Sequence, residues 1–119
     1  MSVAFAIRVL VLLALGAAGL LPDAALAADY PDRPVRWVVP YAAGGTTDVI
    51  ARTISQMFGH AIVIDNRAGA GGRTAMAAVA KSDPDGYTLL VSDASLATAP
   101  SLYAELPFDP VKDFTPIAM

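Results

Sequence analysis

The sequence predicts an α/β fold with a mostly parallel sheet and flanking helices. Short apolar runs of strand composition alternate with segments of helical periodicity along the chain. Such alternation implies parallel strands joined by helices that cover the faces of the sheet. In addition, two glycine-rich loops each follow a predicted strand and precede a predicted helix. We therefore expect both loops side by side at the carboxyl edge of the sheet, where folds of this kind bind ligands.

Residues 1–27 form a predicted secretory signal peptide. Arg8 supplies a positive charge, residues 9–21 are an unbroken apolar run, and Ala25-Leu26-Ala27 is a small-x-small cleavage site. A membrane anchor is the alternative, but spanning a bilayer needs roughly 20 apolar residues, which is more than this run provides. Cleavage would release residues 28–119 into the periplasm.

Composition excludes several classes of function. The net charge of −3 and the absence of Lys/Arg clusters argue against nucleic-acid binding. Because the chain has no cysteine, it has no disulfide framework, no thiolate metal site and no thiol nucleophile. With His60 as the single histidine, a histidine-based metal site or a Ser-His-Asp triad would depend on one residue. We expect no catalytic residues, no metal and no cofactor.

The first strand and helix are marked by local signals. Val35–Val39 is β-branched and aromatic and lies between two prolines, which predicts a strand. The apolar residues between Asp48 and Phe58 recur at helical spacing, with Thr46 or Thr47 as a candidate cap. Gly59 is expected to end this helix.

The middle of the chain repeats the pattern. Residues 61–64 read as a second strand of the buried type, and residues 66–72 form a glycine-rich loop. An alanine-rich helix is expected over residues 73–81. The Asp-Pro-Asp-Gly sequence at 83–86 predicts a turn, and residues 88–91 predict a third strand.

The last third is less regular. A short helix is expected from Ser95 to Tyr103, interrupted by Pro100, followed by a turn over residues 106–110. A fourth strand is expected to begin near Thr115. Because this strand would break off without a covering helix, we interpret the chain as the front part of a larger fold.

The two glycine-rich loops are the candidate binding elements. The first spans residues 40–48 and the second residues 66–74. Glycines let a backbone approach a ligand closely, and the free N–H groups at a helix start favour a carboxylate or phosphate. Neither loop has the lysine of a P-loop, and Thr74 stands where a dinucleotide fingerprint needs its third glycine. Taken singly, each loop could also be only a tight strand-to-helix turn.

Taken together, five segments resemble the Bug family, the TctC-like solute receptors of tripartite tricarboxylate transporters. The resemblance covers essentially all of residues 30–119. The matching segments, in order, are Tyr30–Val35, Val39–Asp48, Asp65–Gly72, Asp83–Leu90 and Leu106–Phe114.

This resemblance implies a two-lobed, flytrap-like periplasmic binding protein of type II, and not an enzyme. Residues 28–119 would be the N-terminal part of its first lobe, with the second lobe absent. The implied ligand is a small carboxylate: a di- or tricarboxylate, an amino acid or an aromatic acid. The implied protein partners are the membrane permease subunits of the transporter.

The resemblance also assigns a binding site. In the family, the loops that match Tyr41–Asp48 and Ala68–Arg73 hold the ligand carboxylate largely through backbone N–H groups. Asp48 would repel a carboxylate, so its expected role is to stabilise the first turn of the helix and the loop. The candidate ligand-binding residues are Tyr41, Ala43, Gly44, Gly45, Thr46, Asp48, Ala70, Gly71, Gly72, Ser92 and Ser95.

The sequence departs from the family pattern at two places. Ala99 stands where members usually have asparagine, and the stretch near residues 58–61 is about one helical turn shorter. We expect the shorter connection to shift and strain the second strand. Two alternatives to a working receptor stay open: a nonfunctional remnant of one, and an exported α/β enzyme of nucleotide-binding type. For the chain alone we expect weak ligand binding and self-association through an exposed sheet edge or apolar face.

Overall fold

The computed structural model describes residues 29–118. The predicted signal peptide lies outside the described residues. The described part contains a three-stranded parallel sheet of order β2-β1-β3, which confirms the predicted fold class. The strands are β1 (Val35–Val39), β2 (Ile62–Asn66) and β3 (Thr88–Leu90).

Helices connect the strands. They are α1 (Thr46–Met57), α2 (Arg73–Ala80) and α3 (Ser95–Leu102), and a short 3₁₀ turn (Ala70–Gly72) precedes α2. The β1-to-β2 and β2-to-β3 crossovers run in opposite directions across the sheet. Because parallel crossovers are right-handed, α1 and α2 lie on opposite faces. None of the helices within residues 29–118 is long and apolar enough to cross a membrane.

The core is built around the central strand. Trp37 and Val39 pack with Ala51 of α1 on one face of the sheet. Side chains alternate along a strand, so the fully buried Val38 lies on the other face, the side of α2 and its buried Met76. Burial on both faces explains why β1 has no alternation of polar and apolar residues.

Several predicted bounds are confirmed. β1 spans the predicted residues, α2 ends one residue before the predicted Lys81, and α1 ends at Met57, next to the predicted Phe58. Gly59 follows with a φ of 69°, a value that glycine adopts without strain. The short connection over residues 58–61 does not distort β2, which pairs with β1 in regular register.

The predicted threonine cap of α1 is wrong. Gly45 is the residue that precedes the helix, Thr46 is its first residue, and no side chain of the preceding residue caps it. The Asp48 carboxylate instead accepts the N–H of Gly44, two residues before the helix, at 2.8 Å.

The secondary structure predicted for the last part of the chain is also partly wrong. Pro100 does not interrupt α3, which runs unbroken to Leu102. A proline removes one backbone hydrogen bond, but buried Ala99 and the bond from the Tyr103 N–H to the Ala99 carbonyl hold the last turn. Residues 115–118 form no strand in the described structure, because they make no backbone pairing with β3.

The second strand is less buried than expected. β2 lies at an edge of the sheet and Val63 is 53% exposed. An apolar run does not reveal whether helices cover one face of a strand or both, so this strand was predicted with the wrong burial.

Helix α1 leaves most of its apolar side chains uncovered. Only Asp48 and Ala51 of this helix are buried. We call the exposed apolar residues of this helix and of its C-cap position the α1 strip; they are Val49, Ile50, Ile54, Met57 and the C-cap residue Phe58. The strip supplies the exposed apolar face expected from the sequence.

The segment before β1 is fastened to the turn before β3, at the amino edge of the sheet. The Tyr30 hydroxyl donates to the Gly86 carbonyl at 2.7 Å, and Arg33 forms an ion pair with Asp85 at 2.6 Å. The Arg33 guanidinium also lies 4.1 Å from the ring centroid of Tyr87. We call this group the amino-edge clamp.

Candidate functional site

Three loops leave the carboxyl edge of the sheet next to one another. The loop after β1 lies in the middle, because β1 is the central strand. The loop after β2 begins with a hydrogen bond from the Arg67 N–H to the Val39 carbonyl, and the loop after β3 begins with one from Val91 to Val38. The expected juxtaposition of the two glycine-rich loops is therefore confirmed.

The second loop touches the first at Gly72. This glycine is buried and has a φ of 87°, and a Cβ there would make a tight contact of 3.1 Å with the Cβ of Pro40. Close approach and a left-handed backbone both require glycine. The two loops thus form one continuous surface.

One residue of the same loop, Ala70, has a strained backbone. Ala70, Gly71 and Gly72 all have positive φ, and Ala70 is the only non-glycine residue with positive φ in the described part of the chain. Backbone outliers of this kind cluster at ligand-binding sites, where surrounding structure holds them. Arg73 supplies part of that support, since its Nε donates to the Ala70 carbonyl at 3.0 Å.

Tyr103 covers the second loop from the end of α3. Its ring lies 3.8 Å from the Arg73 guanidinium, and a Cβ on Gly71 would lie 2.8 Å from its hydroxyl oxygen. Arg67 likewise braces its own loop, because its Nε donates to Asp65 at 2.9 Å. Arg73 therefore braces the second loop, and Arg67 ties the start of that loop to the end of β2.

Asp48 organises the first loop. Its carboxylate is buried and accepts hydrogen bonds from Arg52 Nε at 2.9 Å, from the Gly44 N–H at 2.8 Å and from Asn66 Nδ2 at 2.9 Å. These three donors, with Arg52 the strongest, lower the pKa of Asp48 to about 2. The predicted role of Asp48, fixing the helix start and the loop, matches this geometry.

This arrangement decides which backbone donors remain free. The Gly44 N–H is bound to Asp48, and the Gly45 N–H donates to the Ala42 carbonyl at 3.2 Å. The first N–H groups of a helix have no intrahelical acceptor. Those of Thr46 and Thr47 also find none elsewhere in residues 29–118. Thr47 was not among the predicted site residues; from the sequence it was only a candidate cap of a helix expected to start at Asp48.

The third loop joins the first through Tyr41. The Tyr41 hydroxyl donates to Asp93 Oδ1 at 2.9 Å and lies 3.0 Å from Ser95 Oγ. The Ser95 N–H also donates to Asp93 Oδ1 at 2.9 Å. Hydrogen bonds from Ser95 and Tyr41 hold the pKa of Asp93 below its ordinary value. Ser92 lies two residues after the end of β3, and its hydroxyl makes one long contact of 3.5 Å to the Asp93 carbonyl.

The structure thus brings all eleven predicted site residues to one edge of the sheet, on three adjacent loops and the first turns of α1 and α3. Sequence reasoning missed Arg52, Asn66, Asp93 and Tyr103. The i,i+4 spacing of Asp48 and Arg52 was an available signal for the first of these. Tyr103 reaches the second loop from a helix distant in sequence, and no local pattern indicates that contact.

Other kinds of site find little support in the described residues. No group of three or more His, Cys, Asp or Glu side chains within residues 29–118 is arranged to hold a metal ion. A groove of about 1050 Å³ lies beside β3 and is lined by residues of α2, of α3 and of the segment after Lys112. Its walls are mainly apolar, with Val79, Leu90 and Leu96 among them, and it is distinct from the glycine-rich loops.

Known proteins similar to this chain are receptors and periplasmic binding proteins. The sequence model of the family described as "Tripartite tricarboxylate transporter family receptor" matches residues 47–119. BugT of Bordetella pertussis is 45% identical over 96 residues, which are 76% of this chain and 29% of that protein. The chain spans between 28% and 31% of the length of the curated relatives it matches.

Solved structures agree in fold. The periplasmic binding protein BugD is 44% identical with a TM-score of 0.69, over 74% of this chain and 31% of that one. MatC of Rhodopseudomonas palustris, solved with bound malate, is 42% identical with a TM-score of 0.60, over 73% of this chain and 31% of that one. The described residues therefore correspond to part of a lobe of a periplasmic binding protein, and the matched family and this structural neighbour are a receptor family and a binding protein, not enzymes. The chain belongs to the tripartite tricarboxylate transporter receptor family.

Proposed function

We propose that this chain is the N-terminal part of the first lobe of an extracytoplasmic receptor that captures a small carboxylate. In this proposal residues 28–119 follow a cleaved signal peptide, and the second lobe belongs to a longer protein. The receptor passes its ligand to the permease subunits of a tripartite tricarboxylate transporter. The bound malate of MatC, 42% identical to this chain, supports the ligand class.

The observation that carries the proposal is the pair of unpaired N–H groups on Thr46 and Thr47. They lie at the positive end of the α1 dipole, which favours an anion. The strained backbone of Ala70 lies in the adjacent loop, which contacts the first loop at Gly72. Neutral donors of this kind can hold a carboxylate without a buried counter-charge.

The candidate residues take different roles under this proposal. Direct donors are the backbone N–H groups of Ala43 and Thr46 in the first loop and of Ala70 and Gly71 in the second loop. Gly72 acts indirectly, because its N–H donates to the Gly69 carbonyl at 2.9 Å. Ser92 and Ser95 supply hydroxyls from the third loop. Tyr41, Gly44, Gly45 and Asp48 act indirectly, because their polar groups are bound within the protein.

A single backbone donor can be removed to test the proposal. Thr46 is the first residue of α1, a position where proline is favoured, and Gly45 before it has the extended φ and ψ of −73° and 169° that proline requires. Thr46→Pro therefore deletes the N–H and leaves the helix intact. Thr46→Ala removes the same side chain but keeps the N–H, which makes it the matched control.

The measurement is an amide NMR titration of residues 28–119 with millimolar malate, succinate, citrate and aspartate. We expect one or more of these carboxylates to shift the amide signals of Thr46, Thr47, Gly71 and Gly72. Thr46→Pro should weaken that response at least threefold, and Thr46→Ala should retain it. Equal responses of the two variants would remove Thr46 from the site. A wild-type chain that responds to no carboxylate would favour the alternative, a chain without binding activity of its own.

A further inference from the structure

Asn66 occupies the junction between the second strand and both glycine-rich loops. It is the last residue of β2, directly beside Val39, the last residue of β1. Side chains alternate along a strand, so Asn66 shares the face of Ile62 and Ile64, which pack on the core cluster containing Ala51 of α1. Its side chain therefore points toward the start of α1, and the second loop begins at the next residue.

Every polar group of the Asn66 side chain is used. Nδ2 donates to the Tyr41 carbonyl at 3.2 Å and to Asp48 Oδ1 at 2.9 Å. Oδ1 accepts from Arg52 Nη2 at 3.1 Å. A primary amide supplies two donors and an acceptor, a combination that a carboxylate or an aliphatic side chain lacks.

We infer that Asn66 is a positioning residue that couples the two glycine-rich loops, holding the first loop and the start of α1 in fixed relation to the end of β2. The coupling runs from the Asn66 amide to the Asp48 carboxylate and from there to the Gly44 N–H. Through the Tyr41 carbonyl it also fixes the residue where the first loop leaves β1. Its effect on ligand affinity rests on the proposed function, but the coupling itself can be tested without a ligand.

Amide hydrogen exchange provides that test. The Gly44 N–H depends on the network, whereas the Arg67 N–H donates to the Val39 carbonyl within the sheet and serves as an internal reference. We expect Asn66→Ala to accelerate exchange at Gly44 at least tenfold relative to Arg67. Simple loss of stability would accelerate both amides together, and an unchanged ratio would overturn the inference.

Two further measurements serve as controls: a second variant on the same face of β2, and an exchange measurement that needs no variant. Ile62→Val lies on the same face of β2 but outside the network, so it should leave the Gly44-to-Arg67 ratio unchanged. In the unmodified chain, both side-chain N–H protons of Asn66 should exchange more slowly than those of a solvated asparagine. Exchange at the solvated rate would overturn the inference even if Asn66→Ala did not fold.

Ligand binding separates this inference from the proposed function. If a carboxylate shifts the Thr46 amide of the unmodified chain, Asn66→Ala should weaken that response at least threefold. If no carboxylate binds, the proposed function fails, and the exchange ratio still decides whether Asn66 couples the loops.

Discussion

Asp48 shows how a residue inside a motif can act without touching a ligand. Its position in the first turn of α1 suits the helix dipole, and its buried carboxylate ties Gly44 and Asn66 together. The sequence predicted that role because a carboxylate would repel an anionic ligand. It did not predict the partners, because Asn66 is brought near only by pairing of β2 with β1.

Gly72 offers a residue-scale prediction with a matched control. Gly72 and Gly44 have nearly equal φ values of 87° and 85°, but a Cβ at Gly72 would lie 3.1 Å from Pro40, whereas a Cβ at Gly44 would meet no atom within 4 Å. Gly44→Ala should therefore cost the left-handed backbone strain alone, about 1 kcal/mol. Gly72→Ala adds a clash with Pro40 and should lower the free energy of unfolding further. Urea unfolding of both variants provides the measurement, and equal losses would mean that the loops do not touch at Gly72.

The elements differ in how well their own residues specify them. β1 is bounded by prolines and α2 follows directly on a glycine-rich turn, so both were predicted closely. The exposure of β2 depends on its place at the edge of the sheet, and the missing strand at Thr115 depends on a neighbour to pair with. Neither property is encoded in the local pattern.

The α1 strip gives the element-scale prediction. Ile50 and Met57 are 50% and 81% exposed, and contiguous apolar surface of this kind promotes association. We expect Ile50→Gln together with Met57→Gln to reduce concentration-dependent self-association, with little change in the free energy of unfolding. Sedimentation of both chains over a concentration series provides the measurement.

A buried methionine serves as the control for that experiment. Met76→Ala empties a fully buried position of α2 and should cost about 2–5 kcal/mol in the free energy of unfolding, while leaving the strip untouched. An unmodified chain that stays monomeric at all concentrations would show that the α1 strip does not drive association.

At the scale of the whole molecule, the proposed function gives the described chain one wall of a binding site. Its three loops lie at one edge of a single sheet, and the chain spans about three-tenths of the matched relatives. Flytrap receptors gain affinity when two lobes close around the ligand. One wall can orient a carboxylate but leaves most of its surface in water.

We therefore expect residues 28–119 to bind malate or succinate weakly, with a dissociation constant above about 1 mM, equivalent to about −4 kcal/mol. Calorimetric titration, supported by thermal melts with and without ligand, provides the measurement. Micromolar binding to this chain would contradict the expectation and would mean that closure by a second lobe is dispensable.

The amino-edge clamp has a practical consequence for how the chain can be handled. Parallel strands give the sheet a polarity, so Tyr30 and Arg33 are fastened at the end opposite the glycine-rich loops. A purification tag, fluorophore or surface tether joined ahead of Tyr30 would therefore project from the far end of the sheet. Immobilised this way, the chain would present its three loops to solution, an orientation suited to surface-based binding assays.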